Sequence, residues 1–399
     1  MTIVTNPNDI PTNRHVVATS TTILLAAACG LLAANLYYAQ PLAGPISAAI
    51  GLSPQATGLI VTLTQMGYGM GLLLIVPLGD LFENRSLLFT LMGIITVALI
   101  AAGLATNAAA FLAAALFLGL GSVAVQVLVP YASHLAPEAT RGRVVGNVMS
   151  GLMLGIMLAR PVSSIIAEFA SWHVVFFVSA GVMILLALVL ARTLPKRVPS
   201  SKLSYGALLA SMGQLALTLP VLRRRALYQA CLFGAFSLFW TTTPLLLGSP
   251  VFHLSQGGIA LFALAGVAGA VAAPIAGRVA DRGWSRPATG LGMLAVVVAF
   301  LMTHIAREGS TAALGLLVAA AIVLDFGVSA TMTLGQRAIF SLGAEYRGRI
   351  NGIYMATLFV GGALGSAVGG WAFAEGGWPL TSAIGLAFPI AALFYFVTE

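Results

Sequence analysis

Two charged side chains, Asp325 and Arg160, each lie deep inside a long run of apolar residues. A carboxyl group can take up and release a proton, whereas a guanidinium group stays positively charged and can hold an anion. Asp325 is therefore the first candidate for binding a proton or another cation. The alternative is a structural acid that is hydrogen-bonded to neighbouring helices.

The composition indicates the surroundings in which these two groups must work. The chain has 399 residues, of which 59% are hydrophobic and only 8% charged, and its mean hydropathy is +1.00. A soluble domain cannot hide so much apolar surface. The runs are too long and too uniform for the alternating strands of a membrane barrel. The sequence thus predicts an all-α membrane protein, and the net charge of +8 reflects membrane orientation, with no nucleic acid as partner.

Charges, prolines and glycine-rich turns divide the chain into twelve candidate spans of about 20 apolar residues. A cytoplasmic N-terminus places 17 of the 19 lysines and arginines on the cytoplasmic side, as short loops prefer. Residues 1–192 and 226–399 then form two six-helix bundles, joined by a cytoplasmic linker, 193–225. The predicted spans are 16–39, 54–78, 87–106, 108–134, 144–166, 171–191, 226–248, 256–279, 287–306, 310–336, 350–373 and 378–397.

The linker contains one uncharged stretch, 203–222, that is long enough to be mistaken for a further span. Its apolar residues follow helical spacing, with polar residues on the other face. We predict an amphipathic helix on the cytoplasmic surface. The apolar positions are Leu208, Met212, Leu215, Leu219 and Leu222.

The two halves of the sequence resemble each other. Asp80 and Arg85 recur 201 residues later as Asp281 and Arg286, again in a short polar break between two apolar runs. Two further matches occur at nearly the same offset, one around Cys29 and Cys231 and one around the pairs of arginines at 141 and 143 and at 347 and 349. Both cysteines fall in apolar runs, which favours neither a disulfide nor a metal site.

These motifs make the chain similar to the major facilitator superfamily over essentially its whole length. The polar break resembles that family's motif A, whose second copy keeps Gly277, Asp281, Arg282 and Arg286; the first copy keeps Asp80 and Arg85 but has Val76, Leu81, Glu83 and Asn84 at other motif positions. The fifth span resembles a degraded motif C of the 12-helix drug:proton antiporters, related to arabinose-efflux permeases, with Gly155 and Pro161 kept and Arg160 in place of a glycine.

The resemblance implies that the first, fourth, seventh and tenth helices line a central cavity. Candidate substrate contacts on those helices are Asn35, Tyr37, Tyr38, Gln126, Trp240, Thr241, Ser329, Met332 and Gln336. For Tyr38 and Trp240 the alternative is an aromatic belt at the membrane surface. Three roles stay open for Arg160: pairing with Asp325 to couple protons, reaching the outer face near Glu168, or holding an anionic substrate.

The resemblance also implies a conformational latch at the cytoplasmic side. Its acids would face the positive N-termini of helices in the other half, Asp80 near Asn351 and Asp281 near Val144. Basic residues complete the latch: Arg85, Arg282, Arg286, Arg141, Arg143, Arg347 and Arg349. Glycines at four-residue spacing, from Gly151 and from Gly361, predict close helix packing between the halves.

Together these features predict a secondary transporter of the cytoplasmic (inner) membrane, with both termini cytoplasmic, that works by alternating access. We expect proton-coupled efflux of a small organic molecule by a monomer, with lipid, protons and the substrate as partners. A symporter or facilitator for a sugar, amino acid or organic acid is the alternative, and a receptor without transport is a third. No nucleophile, ATPase motif, metal site or cofactor motif stands out, so the sequence predicts no enzyme and a proton gradient as the energy source.

Overall fold

The computed structural model describes residues 19–138, 140–199, 204–343 and 346–399, and predictions about the N-terminus and about residues 200–203 of the linker lie outside these ranges. Helices make up the regular structure of the described residues. A backbone in hydrocarbon must pair its polar groups within its own segment, so long apolar runs fold as helices.

The twelve predicted spans are confirmed. Ten described helices are long and apolar enough to cross a membrane, one of them holds two spans in 51 residues, and the shorter Thr19–Ala34 supplies the first span. In order, the spans are Thr19–Ala34, Leu59–Leu74 with Val76–Asp80, Asn84–Leu104, Ala108–Ser122 with Ala124–Leu135, Arg141–Phe169, Trp172–Thr193, Pro220–Gly248, Gln256–Ala263 with Leu264–Val267 and Ala268–Asp281, Ser285–Met302, Thr311–Phe340, and the two spans of Arg347–Val397.

Breaks within these spans have local causes. The eleventh and twelfth spans form one continuous helix except at Gly376 and Gly377, where Gly377 has a φ of 59°, a left-handed conformation that favours glycine. A short 3₁₀ turn at Leu264–Val267 interrupts the α-helix of the eighth span. The seventh begins at Pro220, six residues earlier than predicted, because proline suits the first turn of a helix.

Glycines bring pairs of spans into backbone contact within each half. A Cβ at Gly155 would overlap the backbone of Gly30, so the fifth span packs directly on the first. A Cβ at Gly365 would likewise overlap Gly234, so the eleventh span packs on the seventh. The prediction that these glycines pack between the halves was therefore wrong, because four-residue spacing indicates a close approach without naming the partner helix.

Two other pairs of spans join the halves. The second span contacts the eleventh, where Thr62 Oγ1 lies 2.8 Å from Ser366 Oγ and the Leu72 carbonyl lies close to Gly352. The fifth span contacts the helix Gln256–Ala263 and the turn after it, whereas Ala268–Asp281 packs on the ninth and tenth spans. The two halves thus meet closely at one end between the fifth and eighth spans.

We name the ends of the molecule by their charges. The arginine-rich end holds the loops after the second, fourth, eighth and tenth spans, with Arg85, Arg141, Arg282 and Arg347. The opposite end holds Glu168 and Gln256. Close contact between the fifth and eighth spans therefore lies toward the opposite end.

The linker forms the helix Tyr205–Thr218 at the arginine-rich end. Leu208 and Met212 are buried, and the Tyr205 hydroxyl donates to the Leu74 carbonyl at 2.8 Å. Ser211 Oγ accepts from Arg349 at 2.8 Å. The helix thus contacts the second span in one half and the eleventh span in the other.

Candidate proton and substrate site

Asp325 is buried in the tenth span, with 4% of its surface exposed. Its Oδ1 accepts a hydrogen bond of 2.8 Å from the indole Nε1 of Trp240, on the seventh span. A buried carboxylate needs such donors to keep its charge. Asp325 can therefore hold either a proton or a negative charge that Trp240 helps to stabilise.

Arg160 lies in the fifth span and is 3% exposed. Its Nε donates to Gln40 Oε1 at 2.7 Å, and its guanidinium carbon lies 4.5 Å from the centre of the Trp240 ring. The rings of Tyr37 and Phe236 lie 5.0 and 5.3 Å from the same carbon. Aromatic faces attract cations, so the three rings offset part of the cost of burying this charge.

A gap of more than 4.0 Å, the Asp325 gap, separates the Asp325 carboxylate from the Arg160 guanidinium beside Gly266. A Cβ added at Gly266 would lie 3.1 Å from Asp325 Oδ2, 3.3 Å from the Trp240 ring and 3.6 Å from Arg160 Nη1. No ion pair of 4.0 Å or less joins the acid and the base among the described residues. The acid and the base are close enough to interact through their charges. A small movement of either side chain would bring them into a direct ion pair.

Residues on or next to five spans build this site from both halves. Arg160 and Tyr37 come from the first half, whereas Trp240 and Asp325 come from the second. The 3₁₀ turn Leu264–Val267 brings Gly266 against all three polar groups because glycine has no side chain to exclude them. A relative rotation of the halves must therefore change the distance between the acid and the base.

Arg160 does not extend toward Glu168, the second role considered for it. Glu168 instead accepts a hydrogen bond of 2.9 Å from the backbone N–H of Gly257, at the start of the eighth span. A carboxylate at a helix N-terminus is stabilised by the helix dipole. This contact ties the halves together at the end opposite the arginines.

The predicted residues of the first span separate into different environments. Tyr37 contacts Arg160, as described above, whereas Tyr38 lines a lateral groove between the first and fifth spans. Asn35 is buried, accepts from Ser179 Oγ at 2.7 Å and donates to the Leu31 carbonyl at 3.0 Å. The hydrogen bond to Ser179 joins the first and sixth spans in this structure, and the substrate contact of Asn35 stays a prediction.

The remaining substrate candidates also lie apart. Gln126 donates to the Tyr68 hydroxyl at 3.0 Å and lines a cavity of about 220 Å³ at the arginine-rich end. Thr241 is fully buried beside Trp240, and its hydroxyl oxygen has no hydrogen-bond partner among the described residues.

The tenth span carries three substrate candidates between Asp325 and the arginine-rich end. Ser329 lies against Gly269 of the eighth span, and Met332 is partly buried in the hydrophobic core. Gln336 Nε2 lies 3.5 Å from Asn351 Oδ1, at the start of the eleventh span. Of these, only Ser329 is near the Asp325 gap.

The two copies of the latch differ in the structure. Asp80 is exposed and lines the 220 Å³ cavity together with Gly348 and Arg349, the first residues of the eleventh span, near the predicted position. Asp281 pairs with Arg337 at 2.5 Å, in its own half, whereas the prediction placed it at the fifth span near Val144. Only the first copy therefore brings its acid to the other half in this conformation.

Most of the predicted latch arginines that have an observed partner contact their own half. Arg85 donates to the Ala191 carbonyl at 2.6 Å, Arg141 to the Ser133 carbonyl at 3.1 Å and Arg347 to the Phe340 carbonyl at 3.4 Å. Arg286 lies 5.9 Å from the Phe396 ring. Arg143 and Arg282 lie at the same end of the molecule.

Glu83 caps the helix that follows Asp80, a role that the sequence reasoning missed. Burial acts to raise its pKa, but hydrogen bonds from the Ser86 hydroxyl and from the backbone N–H groups of Arg85, Arg197 and Ser86 outweigh it and lower the pKa. Asn84 also accepts from Arg197 at 2.7 Å. Glu83 and Asn84, which stand where motif A has a glycine and a base, thus form a hydrogen-bonded turn. The sequence signal for this turn was an acid just before a long helix, a position that favours helix capping.

Three further residues of the main site were not predicted as site residues: Gln40, Phe236 and Gly266. Gln40 stands next to the predicted Tyr37 and Tyr38, so an amide at the end of the first span was its only signal. Phe236 lies four residues before Trp240, on the same helical face. Gly266 had no signal, because the contacts that it permits depend on the fold.

Comparison with known proteins shows the family to which the chain belongs. A sequence model of the Major Facilitator Superfamily matches residues 23–316 and 260–399. The chain belongs to this superfamily. Its members are membrane transporters that bind small-molecule substrates, so the chain is a multi-pass membrane transporter and not an enzyme.

Several relatives are similar over most of this chain. The putative uncharacterized transporter YgaY of Escherichia coli K12 is 38% identical over 364 residues, which cover 91% of each chain. The probable transporter SCO4007 of Streptomyces coelicolor is 31% identical over 89% of this chain and 82% of its own. The inner membrane transport protein YdhP of E. coli K12 is 24% identical over 83% of each.

Solved structures show the same fold at low sequence identity. The nucleoside transporter NupG superposes with a TM-score of 0.71 at 15% identity, covering 94% of this chain and 98% of its own. A bacterial homologue of the human lysosomal transporter Spinster, in an inward-facing and occupied conformation, gives a TM-score of 0.72 at 15% identity, with 95% and 94% coverage. At this identity the likeness supports the fold alone.

Proposed function

We propose that this member of the superfamily is a secondary active transporter in which Asp325 couples proton movement to the movement of a small organic molecule. The observation that carries the proposal is the Asp325–Trp240–Arg160 arrangement, buried between the halves. A rocking motion of the halves moves the acid relative to the base and so changes the acid's affinity for a proton. In this proposal the arginine-rich end faces the cytoplasm and the protein resides in the cytoplasmic membrane.

The direction of coupling depends on how substrate and proton affect each other at this site. Export by antiport, the reaction predicted from the sequence, requires that the substrate and the proton exclude each other. A substrate that uses the ionised Asp325 as an acceptor has this property. Export of a neutral or cationic drug or metabolite is thus the first candidate function.

A second candidate is cotransport of an organic acid with a proton, and one observation favours it. Arg160 brings an unpaired positive charge to the gap that Asp325 faces. An anion bound to Arg160 withdraws this charge from Asp325 and thereby favours proton uptake by the acid. Proton and substrate would then move in the same direction.

Transport in proteoliposomes tests the proposal. In vesicles with an imposed pH gradient, Asp325→Asn should abolish proton-driven accumulation while counterflow exchange of the same substrate continues. Asp325→Asn vesicles that accumulate substrate as the wild type does would overturn the role of Asp325. The sign of the gradient that drives accumulation separates export from cotransport.

A further inference from the structure

Arg160 carries a hydrogen-bond donor that the folded chain leaves unused. Its Nε donates to Gln40 Oε1 at 2.7 Å, but its Nη2 is buried and has no hydrogen-bond partner within the described part of the chain. Leaving a charged donor buried and unpaired is costly, so this atom calls for a partner such as a water, an ion or a ligand.

Gln40 supplies a second unused donor in the same place. The side chain is 1% exposed, and its Nε2 also has no partner among the described atoms. Because Nε2 and the oxygen that accepts from Arg160 belong to one amide group, both donors lie in one small region. Two adjacent N–H donors, one of them charged, match the two oxygens of a carboxylate.

The acid of the site does not satisfy these donors. Asp325 is held by Trp240 at 2.8 Å, and its carboxylate is not within 4.0 Å of Arg160. Cation–π contacts place the rings of Trp240, Phe236 and Tyr37 within 5.3 Å of the guanidinium carbon, but they bring no negative charge. The charge of Arg160 is therefore supported but not neutralised.

The walls around these donors are aromatic and come from both halves of the molecule. Tyr37 belongs to the first half, whereas Phe236 and Trp240 belong to the second. A ligand held by Arg160 and Gln40 would thus have its apolar body against rings of both halves, as alternating access requires.

We propose that Arg160 Nη2 and Gln40 Nε2 bind the carboxylate of an organic anion whose body is aromatic or otherwise apolar, and that this anion is the transported substrate. The inference rests on the transport function proposed above and assigns its substrate class. It also favours the cotransport form of that function.

Paired ligands that differ only in charge test the substrate class. Purified full-length protein is titrated with benzoate, phenylacetate and octanoate, and with the three matching amides, and binding is followed by tryptophan fluorescence and thermal unfolding. At least one carboxylate should bind tenfold or more tightly than its amide. Equal affinities within every pair, or no carboxylate that binds, would overturn the proposal.

A near-isosteric variant tests the position of the site. Gln40→Glu keeps the acceptor for Arg160 Nε but removes the Nε2 donor and neutralises the guanidinium, so carboxylate binding should fall at least tenfold. Arg160→Lys, which keeps the charge but loses the paired donors, should also weaken it. Gln214→Glu adds the same charge on an exposed face of the linker helix and serves as the control.

The outcome is separable from that of the proton-coupling test. If Gln40→Glu binds the carboxylate as tightly as the wild type does, the subsite is wrong even where Asp325→Asn abolishes proton-driven transport. If carboxylate binding is lost in Gln40→Glu but Asp325→Asn retains proton-driven transport, the subsite stands and the coupling role of Asp325 fails.

Discussion

Trp240 joins the two charges of the site with one side chain. Its ring lies under the Arg160 guanidinium, and its N–H donates to Asp325. The aromatic belt considered for this residue does not fit, because Trp240 is only 1% exposed. The indole therefore stabilises the ionised acid and the cation together.

Replacing Trp240 by phenylalanine separates these two contributions. Trp240→Phe keeps an aromatic face under Arg160 but removes the N–H that stabilises the Asp325 carboxylate. A hydrogen bond to a charged group contributes about 1.5–3 kcal/mol, and 1.36 kcal/mol corresponds to one pH unit. The pH at which proton-driven transport is half-maximal should therefore rise by about one to two units.

Trp378 provides the matched control for this measurement. It is also buried, and its N–H donates to Thr303 at 3.0 Å, away from both charges. Trp378→Phe should leave the midpoint of the pH profile unchanged. A shift of the same size in both variants would mean that the Trp240 hydrogen bond does not set the pH dependence.

The charged residues Asp325 and Arg160 and the aromatic residues Tyr37 and Trp240 were predicted from the sequence, whereas Gln40, Phe236 and Gly266 were not. Asp325 and Arg160 stand out because charges inside a span are rare and costly. Gln40 and Gly266 matter through contacts between distant segments, which spacing along one helix cannot reveal. The hydrogen bond of Asn35 is of the same kind, since its partner Ser179 lies 144 residues away.

At the scale of the helices, the first and fifth spans pack backbone against backbone around Gly30, Gly151 and Gly155. Arg160 lies on the fifth span, five residues beyond Gly155. The depth and rotation of Arg160 therefore depend on this backbone contact. The sequence predicted close packing at these glycines, but only the fold shows that the partner is the first span.

Gly155→Ala should destabilise the protein by separating these two spans. A Cβ at this position would overlap the Gly30 backbone, and overpacking of this kind costs about 1–3 kcal/mol. Thermal unfolding in detergent should show a lowered melting temperature. Gly181→Ala, on the sixth span with no atom within 4 Å of the added carbon, should not lower it, and equal losses in both variants would contradict the packing role.

At the scale of the whole molecule, the repeat predicts two equivalent latches, whereas the structure places only one of the two acids beside the other half. Asp80 shares a cavity with the N-terminus of the eleventh span, in the other half, whereas Asp281 is held by Arg337 in its own half. The sequence could not predict this difference, because one sequence must serve every conformation of a transporter. We expect the asymmetry to belong to this conformation, with the two acids exchanging places when the halves move.

Asp80→Asn should therefore open the arginine-rich end between the second and eleventh spans. The contact of a carboxylate with a helix N-terminus contributes about 0.3–1 kcal/mol, which corresponds to a two- to fivefold change in population. A cysteine at Val127, which lines the cavity and is 5% exposed, reports the opening. Its rate of labelling by a water-soluble maleimide should rise two- to fivefold, after subtraction of labelling at Cys29 and Cys231.

Asp281→Asn is the control, because in this conformation its ion pair lies within one half and is largely exposed, with 63% of the Asp281 side chain accessible. Surface ion pairs of this kind contribute little, so labelling of the Val127 cysteine should not change. Substrate affinity should stay the same in both variants, since neither acid lies at the Asp325 gap. Unchanged labelling in Asp80→Asn together with weaker substrate binding would place Asp80 in the binding site and would exclude it as a latch.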